Sequence, residues 1–117
     1  MRTQSIKAFN ILLVFITSMI FSVSVLAKGF GGSWVLADTG GKPFQIHLEK
    51  DGSASGTHGD SMKHGTWEEK DGTAIIHWGT GWTTVITKEG GHYIKKAFKP
   101  GDSITDAPTN TSDAKRK

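Results

Sequence analysis

The chain has 117 residues, with 14 Lys plus Arg against 11 Asp plus Glu and no cysteine. This length allows one domain beside a leader. The missing cysteine excludes disulfides, a thiol nucleophile and a lipid-bearing leader. The basic excess is too small and too scattered for a nucleic-acid surface, so nucleic acid is not an expected partner.

At the N-terminus, Arg2 and Lys7 precede a nearly uncharged apolar run from Ile11 to Val25, and Val25-Leu26-Ala27 ends it on small residues at the positions a signal peptidase reads. Residues 1–27 are expected to be a signal peptide. The apolar core is shorter than the ~20 residues a spanning helix needs, so no stable membrane insertion is expected after its removal. Arg2 and Lys7 leave with it, so 12 basic residues face 11 acidic ones in the 90 that follow (117 minus 27). A periplasmic or secreted location follows from a bacterial leader of this kind.

Beyond residue 27, turn signals recur at short intervals. They are Gly40-Gly41, Asp51-Gly52, Gly59-Asp60, Asp71-Gly72, Gly79-Thr80-Gly81, Gly90-Gly91 and Pro100-Gly101. That spacing predicts an all-β fold, a small antiparallel meander of six or seven strands forming a barrel or sandwich. A β-domain is expected over residues 28–101. Without disulfides, so small a domain must rely on ladder closure, aromatic packing, a metal or self-association, so homo-oligomerisation is one outcome the composition allows.

Period-two alternation assigns the faces. Phe44, Ile46 and Leu48 share one face of their strand, with Gln45, His47 and Glu49 on the other. Trp34 and Leu36 share a face, as do Ala74, Ile76 and Trp78, which oppose Ile75 and His77. Asp71-Gly72 is a strong hairpin signal, and it makes Trp67 the expected packing neighbour of Trp78. In the run from His92 to Phe98, polar and apolar residues mix on both faces, which reads as an edge or a barrel seam. Residues 102–117 hold one large aliphatic residue, Ile104, and no hydrophobic period. They are expected to form a flexible tail, with an ordered strap along the barrel as the second reading.

Three constellations carry candidate chemistry. Four tryptophans, Trp34, Trp67, Trp78 and Trp82, crowd one small domain. Trp34 and Trp67 read as core. Trp82 follows the Gly79-Thr80-Gly81 turn, where an indole can stand at a rim and stack on a sugar ring or a partner's side chain. Trp82, Thr80 and Trp78 are therefore the candidate ligand-binding residues. In the polar loop, His58, Asp60, Met62 and His64 are candidate metal ligands, since mixed His/Met suits copper and His/carboxylate suits zinc. Catalysis is not expected. No serine lies in a Gly-x-Ser-x-Gly elbow, Glu49 is on a solvent face, and Glu68 and Glu69 precede a turn.

Gly65-Thr66-Trp67, then Trp78-Gly79-Thr80-Gly81-Trp82, then Ala97-Phe98-Lys99-Pro100-Gly101, with Pro108 to Thr111 beyond, resemble a group of small exported bacterial β-proteins of uncharacterised function. That resemblance implies a recurring fold with an ordered tail motif and brings no activity. Gly32-Ser33-Trp34 ahead of a β-meander resembles the lipocalin and avidin type of barrel. Ser53-Ala54-Ser55-Gly56, followed by Trp67 and Lys70-Asp71-Gly72, is similar in order to the periplasmic C-type lysozyme inhibitors. Thr57 and His58 stand where that family has a tyrosine. This likeness implies that Ser55, Gly56 and His58 probe a lysozyme cleft, with Lys63 as a cation.

The reading that follows is an exported, non-catalytic binding or structural protein of the cell envelope, without a cofactor. Its expected partner is an envelope glycan or an extracytoplasmic protein met through an aromatic-bearing β surface. A periplasmic metal-binding protein and a lysozyme-inhibitor-like protein are the alternatives.

Overall fold

In the computed structural model, residues 29–117 are described, and the expected signal peptide lies outside them. The described chain is all strand and turn. Its strands are β1 (Gly32–Ala37), β2 (Pro43–Leu48), β3 (Ser53–His58), β4 (Ser61–Lys70), β5 (Thr73–Trp78), β6 (Thr83–Glu89), β7 (His92–Phe98) and β8 (Asn110–Arg116). Each pairs antiparallel with the next, and β8 returns to β1, so the eight strands close into an up-and-down barrel. The sequence foretells the all-β class, but the count is eight rather than six or seven, and the sheet is a barrel rather than a sandwich.

Local chemistry sets the corners. At the β4–β5 turn, Asp71 and Gly72 have φ of 53° and 73°. Positive φ at both central residues is what a two-residue hairpin with the right twist requires, and Asp-Gly meets that need at low cost. The resulting register places Trp78 opposite Gly65 and Trp67 opposite Ile76. Trp67 is therefore not the cross-strand neighbour of Trp78. Gly65 lets the β4 and β5 backbones approach closely, because a Cβ at residue 65 would overlap the His77 carbonyl on β5.

Alternation fills the interior with Trp34, Leu36, Phe44, Ile46, Leu48, Ala54, Ala74, Ile76, Trp78, Ile86 and Ala114. A second, smaller cluster of Ile75, Val85 and Phe98 sits on the outer face of β5, β6 and β7. This explains why β5 is apolar on both sides.

The stretch expected to be a flexible tail contains β8, so the β-domain extends past residue 101 to the end of the barrel. The strand pairs with β7 from Tyr93↔Ala114 to Ala97↔Asn110 and with β1 at Trp34↔Arg116 and Val35↔Lys115. β7 is accordingly not an edge. Hydrophobic patterning misses β8 because its inward positions are Asn110, Ser112, Ala114 and Arg116, of which Ala114 alone is apolar. Ladder hydrogen bonds and a cation hold it instead. Cζ of Arg116 lies 4.3 Å over the Trp34 ring, and its guanidinium donates to the carbonyls of Gly29 and Gly31. Trp34 also meets Tyr93 edge-on, with centroids 4.9 Å apart. Together with Phe30 these groups plug one end of the barrel.

Ending the chain at Pro108 removes β8 and leaves β1 and β7 as open edges. The truncated protein is expected to lose at least about 2 kcal/mol, a fall of roughly 10 °C or more in thermal midpoint for a domain of this size. Thermal unfolding followed by circular dichroism measures it, and an unchanged midpoint would show that β8 is a dispensable strap.

Candidate functional site

The opposite end of the barrel is open. The β1–β2, β3–β4, β5–β6 and β7–β8 connections all emerge there, and beneath them is a cavity of about 260 Å³. Its wall is aromatic where β2, β5 and the β5–β6 turn contribute Phe44, Trp78 and Trp82. Its polar groups include Asp38, His58, Lys63, Thr80, Thr84 and Lys95.

All three residues singled out for ligand binding, Trp78, Thr80 and Trp82, line this cavity. The turn between them explains why. The amide of Gly81 donates to the Trp78 carbonyl and that of Trp78 to the Trp82 carbonyl. Gly81 supplies a φ of 97°, a conformation that residues with a Cβ rarely adopt. The turn thus sets Trp78 and Trp82 on either side of one tight reversal. The two indoles differ in their engagement. Trp78 is 5% exposed and donates Nε1–H to the Thr84 hydroxyl at 2.9 Å. Trp82 is half-buried against the core. Trp34 and Trp67 donate to the carbonyls of Phe30 and Glu49, whereas Trp82 Nε1 finds no acceptor among the described residues.

The floor depends on an absent side chain. A Cβ on Gly56 would come within 2.6 Å of Phe44 Cε1 and 3.1 Å of Trp78 Cη2. Phe44 fills that space and stacks flat on His58, with centroids 4.1 Å apart and planes 7° from parallel. His58 is thereby held at the rim with Nε2 3.3 Å from Asp38 Oδ2. The pair is close but poorly aligned for a hydrogen bond, and this buried nitrogen has no other hydrogen-bond partner.

The four candidate metal ligands do not converge. His58 faces inward, but Asp60 lies in the β3–β4 turn, and Met62 and His64 point outward from β4, with Met62 60% exposed. Strand alternation separates them: Met62 and His64 share the outer face, opposite to that of His58. Among the described residues no cluster of three or more His, Asp or Glu side chains could hold an ion. Ser55 and Gly56, named by the lysozyme-inhibitor likeness, lie within β3 and pair with both neighbouring strands rather than projecting as a loop.

Lys95 is the residue that sequence reasoning misses. It is 2% exposed, and its Nζ donates at 2.7 Å to both the Ala37 carbonyl and Asn110 Oδ1. Burial holds its pKa below the ordinary lysine value, opposed by the Asp38 carboxylate. Its signal was present in the alternation, since Lys95 shares a face with Tyr93 and Ala97. Asp38 was missed as well. Its Oδ1 accepts the Lys42 amide at 2.8 Å and closes the β1–β2 turn.

No family model, curated protein or solved structure matches the chain.

The Lys42 amide, first among the causes, holds the Asp38 carboxyl below its ordinary pKa, with the Gly40 amide, His58 and Lys42 charge acting in the same direction against desolvation. A depressed carboxyl favours the folded state above the unfolded pKa of 3.8, and this contribution is lost as pH falls through the lower folded value. Asp38→Asn keeps an Oδ1 acceptor for Lys42 and cannot titrate. Its thermal midpoint is expected to fall less steeply than the parent's from about pH 4 downward, a window set by the carboxylate reference range. Parallel slopes would show that Asp38 does not contribute to the acid limb.

Proposed function

We propose that this is an exported, non-catalytic binding protein of the cell envelope, and that it works by taking one ring-sized group, a sugar unit of an envelope glycan, into the open barrel end against Trp82. The observation carrying this reading is the half-buried Trp82 beside a cavity, with an indole N–H that finds no acceptor among the described residues. An indole face stacks on a ring, and its free N–H can donate to a ring substituent. Thr80 adds a hydroxyl at the same rim.

Size supports a single ring. About 260 Å³ falls just below the ~300–1,000 Å³ of clefts that enclose drug-sized molecules. Export fits the leader-like residues ahead of the barrel.

The indole N–H resonances test the proposal, because each tryptophan reports separately. Titrating the protein with soluble envelope oligosaccharides is expected to shift the Trp82 resonance and leave those of Trp34 and Trp67 in place. Trp82→Ala is expected to weaken binding about tenfold, the loss of one aromatic stack at roughly 1 kcal/mol or somewhat more. Shifts confined to Trp67, or binding that survives Trp82→Ala unchanged, would refute the mouth as the recognition element.

A further inference from the structure

The buried lysine in the cavity wall has more donor capacity than the protein uses. An ammonium has three N–H groups. Two of those on Lys95 are taken by Ala37 and Asn110, both neutral acceptors. Among the described residues no carboxylate lies within ion-pair distance of its Nζ, and Asp38, the one acidic residue in the cavity wall, is engaged by His58 and the Lys42 amide. A cation withdrawn from water without an ionic partner is costly. Lys63 enters the same cavity from β4, so two formal cations face one carboxylate.

We propose that the barrel mouth selects a ring bearing a carboxylate, whose oxygens meet the third Lys95 N–H and Lys63 while the ring lies among Phe44, Trp78 and Trp82. This rests on the reading of the mouth as a ligand site and names the chemistry of its ligand. The two contributions are separable: the indoles hold the ring and the ammonium groups discriminate its charge. An acidic sugar and an aromatic acid share this chemistry.

A purely structural role for Lys95 would be to tie the end of β1 to β8 through its two hydrogen bonds. Lys95→Gln separates the roles, because an amide keeps two donors and lacks the charge. Lys63→Gln tests the cation on the half-exposed side. Asp38→Asn removes the competing negative charge and leaves the turn acceptor in place.

The experiment measures affinities by calorimetry for two matched pairs, glucuronate with glucose and phenylacetate with phenylacetamide, on the full folded barrel. The acid of at least one pair is expected to bind the parent at least tenfold more tightly than its neutral partner, and the preferred pair identifies the ring. That ratio is expected to approach one in Lys95→Gln, to fall severalfold in Lys63→Gln and to rise in Asp38→Asn. If Lys95→Gln does not fold, the opposite movements of the other two variants decide the matter. Equal binding of acid and neutral partner, with both lost in Trp82→Ala, would overturn the carboxylate preference and leave the mouth site standing. No binding of any of the four at millimolar concentration, with the Trp82 resonance unmoved, would overturn both.

Discussion

Closure of the sheet by β8 is the constraint on which the other features depend. A small domain without disulfides has little apolar surface to bury and cannot leave strand edges open without inviting self-association. Here the last strand removes both edges at once, although its inward side chains contribute almost nothing to the apolar core. Its position is secured by backbone pairing along β7, by a short pairing with β1 that ends at the Lys117 amide and Ser33 carbonyl, and by Arg116 across the Trp34 ring. The cation supplies in one residue what a hydrophobic strand would spread over several. Its charge stays partly solvated while its flat face covers an indole.

Closure also makes the two barrel ends unlike each other. At one end Phe30, Trp34, Tyr93 and Arg116 interlock, and the Trp34 N–H is consumed by the Phe30 carbonyl. At the other, Phe44 and Trp78 lie tilted against each other, with centroids 5.5 Å apart. Phe44 is occupied by His58 on one face, Trp78 is anchored to Thr84, and Trp82 stands half-buried at the rim. The plug takes the Trp34 N–H and the Arg116 guanidinium into internal hydrogen bonds. At the mouth, Trp82 Nε1 and one N–H of the Lys95 ammonium have no acceptor among the described residues.

What could be read from the sequence follows the hydrophobic period closely. Phe44, Ile46 and Leu48, and Ala74, Ile76 and Trp78, face inward as alternation requires, and Asp71-Gly72 adopts the turn its residues favour. Trp78, Thr80 and Trp82 stay together whatever the register, because one short turn joins them. Apolar alternation is silent where stability comes from another source. β8 lacks the period, so it read as a tail. Trp67 is not directly opposite Trp78, because a two-residue turn fixes the register residue by residue, and that register sets Gly65 against Trp78. The candidate metal residues are spread apart because residues close in sequence on a strand alternate between faces, so His58 and His64 part company across the β3–β4 turn.

Lys95 shows why the site was harder to read than the fold. A lysine among polar and apolar neighbours on a terminal-looking strand reads as surface, and only closure turns its face inward. Once β8 brings Asn110 beside it and β1 ends at Ala37, the ammonium is enclosed by acceptors that satisfy its hydrogen bonds but not its charge. Replacing such a group with an apolar residue would leave those two acceptors unpaired, so the cation is structurally entrenched. The strand that gives the barrel its stability thus also gives the cavity its electrostatic character.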